Sequence, residues 1–234
     1  MKKLFNTSSK VFFSFCVMLL FTNATAQKSE LNSNLLLYCQ SLESEFNLIS
    51  EERKLDLIEI SNFILEQQTN HKKINLLFVC TSNSRRSHMA QVWSQVASYY
   101  YNIKDVATFS GGTEQTRVNK NAISTLKKAG LPLQSNQQSD NPIWTATIGE
   151  NFPPLVLFSK VYTDATNPNA NFGAIMVCSE ANESCPIVPG ADFRQGLPYQ
   201  DPKISDNTPQ QTEKYDERCR QIAREMFFVF SQIK

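Results

Sequence analysis

The period of apolar and polar positions changes repeatedly along this chain, and each change predicts an element. Val11–Phe21 is apolar except for Ser14. Leu36, Leu37, Cys39, Leu42 and Phe46 then recur at about helical spacing. A second helical run carries Leu55, Ile58, Phe63 and Leu65; it follows Ser50, an N-cap candidate backed by Glu51 and Glu52. Gln67–Lys73 is polar and predicts a linker. Ile74–Val79 is a mostly apolar run of strand length, as expected of a parallel strand covered on both faces. From Ser87 the stripe Met89, Trp93, Val96, Ala97 and Tyr100 predicts a helix. A strand, a short polar loop and a helix in succession open an α/β unit.

Further along, Val106–Ser110 is a second strand candidate, ending at Gly111-Gly112. Asn121–Ala129 predicts a helix closed by Gly130, with Ala122, Leu126 and Ala129 on one face. Residues 140–168 are punctuated by Pro142, Pro153, Pro154 and Pro168, with Leu155–Phe158 as a strand candidate. Ala174–Val177 predicts a strand ending at Cys178, and 186–209 reads as loop. Thr212–Lys234 predicts a strong amphipathic helix, its inner stripe being Tyr215, Cys219, Ile222, Met226, Phe230 and Ile233. No internal repeat or low-complexity tract interrupts this order.

Three units follow. Residues 1–26 have the layout of a secretory signal peptide: Lys2, Lys3 and Lys10, the short apolar run, then Ala24-Thr25-Ala26 before Gln27. The expectation is an exported, periplasmic protein, touching a membrane only through this segment if it stays uncleaved. Residues 27–73 are a helical extension and linker, either a lid or dimerisation element or helices packed on the flank. Residues 74–234 are the main domain. Removing the three early lysines from 23 basic residues leaves 20 against 22 acidic ones, a near-neutral body with no electrostatic pull on nucleic acid. Without Cys16 the cysteines are Cys39, Cys80, Cys178, Cys185 and Cys219, an odd number, so at least one thiol is free or pairs between molecules.

The segment richest in chemistry is Val79-Cys80-Thr81-Ser82-Asn83-Ser84-Arg85-Arg86-Ser87. Cys80 and Arg86 form a C-x5-R arrangement between a strand and a helix. The backbone N–H groups of such a loop can wrap the oxygens of a tetrahedral anion, and the helix adds its positive end. Arg86 offers a planar fork, and the same field favours a thiolate at Cys80. Thr81, Ser82, Asn83, Ser84, Arg85, Arg86 and Ser87 are therefore the oxyanion-binding candidates. Ser84 and Ser87 can bond the thiolate or cap the helix, and Asn83 tolerates the left-handed backbone a tight loop needs. His88 reads as a helix-surface residue and His71 as part of the linker; neither suggests zinc, and Cys39 and Cys219 read as helix-face apolar positions.

Val79, Cys80, Asn83, Arg86, Ser87, Met89 and Ala90 resemble the phosphate loop of the low-molecular-weight protein tyrosine phosphatase superfamily. Ser82 stands where that family usually has Gly, and Arg85 where it usually has a second Cys. Gly111-Gly112-Thr113-Glu114 and Asn119–Ile123 extend the likeness, as does Asp201-Pro202, whose Asp would protonate a leaving group. The resemblance implies a three-layer α/β sandwich with a central four-stranded parallel sheet, without a cofactor, and is weakest across 140–168, which looks like an insertion.

Cys178 and Cys185, seven positions apart and followed by Pro186, are similar to the redox loop of the superfamily's thioredoxin-coupled arsenate reductases. That likeness implies attack by Cys80 on arsenate, then relay of a disulfide through Cys178 and Cys185 to a thioredoxin-like reductant. Three alternatives stay open. Cys178 and Cys185 can form a static disulfide, which export would favour. Cys80 and Asp201 can hydrolyse a phosphomonoester such as phosphotyrosine. The loop can also serve a non-catalytic oxyanion binder or redox sensor.

Overall fold

The computed structural model describes residues 30–135, 138–184 and 187–233; the expected signal segment and Cys185 lie outside them. The N-terminal half runs α1 (Ser33–Glu43), a 3-10 turn (Phe46–Leu48), α2 (Glu51–Thr69), β1 (Ile74–Cys80), α3 (Arg86–Tyr100) and β2 (Val106–Gly112). Next come α4 (Lys120–Lys128), β3 (Leu133–Gln134), β4 (Trp144–Ala146), β5 (Leu155–Leu157) and β6 (Phe172–Met176). The chain ends with α5 (Ser179–Ser184), β7 (Ala191–Gly196), a 3-10 turn (Pro202–Ser205) and α6 (Gln211–Ser231).

The fold is α/β. Its central sheet has four parallel strands in the order β2-β1-β6-β7, and β3, β4 and β5 form a small antiparallel sheet beside it. Because the four strands are parallel, Cys80, Gly112, Cys178 and Leu197 gather at one edge, where α/β sheets bind ligands. Every residue of β1 except Asn75 is buried, which is why it reads as an unbroken apolar run. Helix α3 is buried almost all round, since β1 and β2 cover one side and α6 another. Gly130 at the end of α4 has φ +92°, a left-handed cap that suits glycine.

Several sequence expectations are corrected here. The buried stripe of α1 is Leu35, Cys39 and Leu42, and that of α2 is Leu57, Ile60, Phe63 and Ile64; Leu37, Leu55 and Leu65 face outward. Leucines, joined by isoleucines in α2, lie on more than one face of both helices, so periodicity alone does not choose the inner one. Helix α2 also runs through the expected linker to Thr69, with Gln67 buried. Ser50 does cap α2, accepting from the Arg53 N–H at 3.2 Å. Leu155–Leu157 is a strand of the small sheet, whereas the fourth parallel strand, β7, comes from the segment read as loop. As an edge strand β7 needs little apolar patterning, and it carries Asp192, Arg194 and Gln195.

Helices α1 and α2 share one apolar cluster with the sheet and α6. Phe63 of α2 stacks on Phe193 of β7 with ring centroids 4.9 Å apart. Cys219 is buried on α6 and accepts from Trp93 Nε1 at 3.2 Å; burial pushes its thiol up to about 11. Among the described residues no helix is long and apolar enough to cross a membrane.

Candidate active site

Cys80 ends β1, and the loop behind it turns into α3 at Arg86. Asn83, the middle of that loop, has φ +40°, the left-handed conformation its side chain tolerates. The strain is held by a set of distant groups. Asn83 Nδ2 donates to Ser87 Oγ at 2.9 Å, and its Oδ1 accepts from the Lys160 N–H at 2.8 Å. The Ser82 carbonyl accepts from Thr116 Oγ1 at 2.7 Å and Ser159 Oγ at 3.3 Å. A Cβ on Gly112 would come within 2.6 Å of the Thr81 carbonyl and 2.7 Å of the Asn83 nitrogen, so only glycine lets β2 approach this closely.

His88 is not on the helix surface. It is fully buried, with Nε2 2.9 Å from the Asn83 carbonyl and Nδ1 3.1 Å from Ser110 Oγ. Burial, and then the charge of Lys160, pull its pKa down to about 3. It is thus a neutral imidazole bridging the loop to β2. The sequence reading missed it because its partners come from other elements. The 140–168 stretch, read as an insertion, also reaches the site: Ser159 and Lys160, just past the strand at Leu155–Leu157, are buried and bonded to the loop. Burial lowers the Lys160 ammonium to about 8.

Cys80 Sγ lies 3.1 Å from Ser87 Oγ, a donor able to stabilise a thiolate. Ser84 neither bonds the sulfur nor caps the helix; its hydroxyl donates to the Arg117 carbonyl at 2.7 Å. Ser82 Oγ donates to Glu114 at 2.7 Å, so the side chain standing in place of the usual Gly is turned to the rim. Arg85 Nε donates to Tyr215 Oη at 2.7 Å and its Nη2 lies 3.4 Å from Asp206. That guanidinium is committed sideways to Tyr215 and Asp206.

Arg86 is 6% exposed, and its Nη1 donates to the Tyr199 carbonyl at 3.0 Å while Nη2 donates to Asp201 Oδ2 at 2.8 Å. Its Nε is buried without a hydrogen-bond partner among the described residues. A buried guanidinium N–H left unmade is costly, and an oxyanion oxygen is the partner it suits. Asp201 also accepts from the Lys203 N–H at 3.0 Å, capping the 3-10 turn. The site opens to a cleft of about 540 Å³ lined by Thr81, Arg85, Arg86, Glu114, Asp201 and Lys203 among others.

Cys178 follows β6, the neighbour of β1, and is fully buried. Its Sγ lies 3.5 Å from the hydroxyl of Thr81, the residue next to Cys80, and accepts from the Ala181 N–H at 3.3 Å. Burial pushes the Cys178 thiol up; Thr81, the Ala181 N–H and Arg86 pull it back, and Cys80 is close enough to raise it. The structure therefore brings together Cys80, the loop, Arg86, Asp201 and Cys178. Among the described residues no cluster of His, Cys, Asp and Glu could hold a metal ion.

The family profile for low molecular weight phosphotyrosine protein phosphatase matches residues 75–145. That stretch contains the whole loop and stops short of Cys178 and Asp201. The arsenate reductase of Bacillus subtilis (strain 168) is 27% identical over 145 residues, 62% of this chain and 86% of that protein. The arsenate reductase of Brevibacillus brevis (strain 47) is 31% identical over 130 residues, 56% of this chain and 78% of its own. A solved low-molecular-weight protein tyrosine phosphatase from T. tengcongensis aligns with a TM-score of 0.45 at 18% identity, over 68% of this chain and 99% of that one.

Proposed function

As a chain that belongs to the low-molecular-weight protein tyrosine phosphatase superfamily, close to its arsenate reductases, this protein is, we propose, a thiol-coupled arsenate reductase. Arsenate sits in the loop, held by backbone N–H groups and by Arg86 through its unpartnered Nε. The Cys80 thiolate attacks arsenic, and a hydroxide leaves and is protonated to water. A Cys80–S–As(V) adduct results. The Cys178 thiolate then attacks Cys80 Sγ. The S–S bond forms, the S–As bond breaks, and its electron pair remains on arsenic, which departs as As(III) arsenite. Cys185 next attacks Cys178, frees the Cys80 thiolate and leaves a Cys178–Cys185 disulfide for an external dithiol to reduce.

The observation that carries this reading is Cys178. Hydrolysis of a phosphate ester needs an acid and a water; it has no use for a second thiol beside the nucleophile. Here that thiol abuts Thr81; burial pushes it up, and Thr81, the Ala181 N–H and Arg86 offset part of that rise. If the N-terminal 26 residues direct export, the dithiol donor belongs to the cell envelope, in the chemical class of thioredoxin.

A phosphatase reading rests on a separate observation: Asp201 lies on the cleft wall and is bonded to Arg86, and in that reading it would serve as the leaving-group acid. One assay separates the two. Wild type and Cys178→Ser are given arsenate with dithiol, and aryl phosphate, side by side. The reductase reading expects Cys178→Ser to lose arsenate turnover and keep any aryl-phosphate cleavage. Unchanged arsenate turnover in Cys178→Ser and Cys185→Ser would sink it, and strong aryl-phosphate hydrolysis that collapses in Asp201→Asn would install the phosphatase instead.

A further inference from the structure

The helices ahead of β1 reach the anion site through one side chain. Arg53, in the first turn of α2, pairs its Nε with Glu225 Oε2 at 2.9 Å and donates from Nη2 to the Pro198 carbonyl at 3.3 Å. Its guanidinium carbon lies 4.8 Å from the centroid of the Tyr199 ring. Glu225 is 2% exposed, and its second oxygen accepts from Gln221 Nε2 at 2.9 Å. Arg53 is therefore fixed from α6 and grips the two residues that follow β7 and Leu197.

The segment that they begin holds Arg86. The Tyr199 carbonyl accepts from Arg86 Nη1 at 3.0 Å, and Asp201, two residues on, accepts from Nη2 at 2.8 Å. The segment is tied to the end of β6 by the Leu197 and Tyr199 N–H groups, which donate to the Met176 and Val177 carbonyls. Beyond Tyr199 it runs over the surface, with Gln200 exposed. A carbonyl aims a guanidinium only as well as its own backbone is placed. Here the outer side of that backbone rests on Arg53.

We propose that Arg53 is a positioning residue for the oxyanion site. By clamping Pro198 and Tyr199 it sets the plane of the Arg86 guanidinium, and hence the direction of the free Nε towards an anion over Cys80. The helical extension is then a brace of the active site, supplied by residues outside the stretch that matches the family profile. The inference rests on reading the Cys80–Arg86 loop as an oxyanion site.

The test uses the full chain and titration calorimetry with inorganic phosphate and inorganic arsenate. The proteins are wild type, R53Q, R86K and R53Q/R86K, with R53M/E225M, which removes the buried charges as a pair. R53Q is expected to weaken phosphate binding about tenfold, and to weaken it less than about twofold when Arg86 is already Lys, because residues acting through one another are not additive. R53M/E225M is expected to lose affinity to the same extent while melting within a few degrees of wild type. Equal factors for R53Q in the two backgrounds, or wild-type affinity in R53M/E225M, would overturn the positioning role. So would loss of folding in every Arg53 variant, which would make Arg53 a core residue only. If R53Q alone fails to fold, R53K replaces it in the cycle. Wild type binding neither anion would refute the oxyanion site itself, a result distinct from all of these.

Discussion

Cys80 and Cys178 stand at the ends of neighbouring parallel strands, and their surroundings are built in opposite ways. The loop after Cys80 opens a 15-residue helix and is pinned by residues far away in sequence: Thr116, Ser159, Lys160 and, through His88, Ser110. The turn after Cys178 opens a six-residue helix. Its bonds are mostly local, from the Ala181 N–H to the sulfur and the Asn182 N–H to the Cys178 carbonyl. Arg194 Nη2 adds a tie from β7, donating to the Asn182 carbonyl at 2.7 Å and to Asn182 Oδ1 at 2.8 Å. A nucleophile that receives a substrate gains from a cradle already formed. On the proposed reductase reading, a thiol that reaches Cys80 and passes a disulfide onward gains from a turn that can rearrange cheaply. The contrast teaches that polar bracing from several distant elements was laid down on one strand end, while the other is tied across mainly by Arg194 and Thr81.

The sharpest way to break this comparison is Cys80→Ser. It should lower turnover of arsenate and of aryl phosphate by more than about a thousandfold, as loss of a nucleophile does; steady-state assays of both would reveal any residual route. Next, Asn83→Ala should cost about 2–3 kcal/mol of stability in urea unfolding, since it removes two buried bonds and the residue suited to φ +40°. A loss below about 0.5 kcal/mol would mean that the loop is not pinned as described.

His88 supplies a third test. Its folded pKa, about 3, lies below the ordinary imidazole value of 6.5, so between these pH values the unfolded chain takes up a proton that the folded one refuses. Stability from His88 is complete above pH 6.5 and falls as pH drops towards 3. His88→Gln should lose about 1–2 kcal/mol at pH 7 and flatten that part of the acid slope. An unchanged slope would take the acid sensitivity away from His88. The smallest effect belongs to the other strand end. Asn182→Ala keeps the carbonyl that Arg194 holds and loses the single Oδ1 bond, so stability should change by no more than about 1 kcal/mol. A larger loss would mean the Cys178 turn is as firmly built as the Cys80 loop.

Much of the fold was legible because long elements announce themselves. β1, α3 and α6 fall within a residue or a few of their expected bounds, since a buried parallel strand must be apolar throughout and an amphipathic helix must repeat. The inner faces of α1 and α2 were not legible. Leu37 and Leu55 look as buriable as Leu35 and Leu57, and only the position of α6 decides between them. β7 escaped notice because a partly exposed edge strand leaves a faint pattern. In the site, Cys80, Asn83, Arg86 and Ser87 share one loop and were readable together. His88, Ser159, Lys160 and Arg53 act through partners up to 172 residues away, and no local spacing reports such a contact.

By itself, then, the sequence marked out the loop, its candidate nucleophile Cys80 and the anion chemistry proposed for it. Those properties depend on residues within reach of one strand–turn–helix, whose conformation follows from the side chains it contains. The tertiary structure alone decided what surrounds the loop: that Cys178 abuts Thr81, that a neutral His88 and the 159–160 segment support its backbone, and that Arg53 lies behind Arg86. Such contacts form only when the sheet order sets β6 beside β1 and folds α2 against β7. The order of strands is a property of the packed chain, whereas the chemistry of a short loop is a property of its residues.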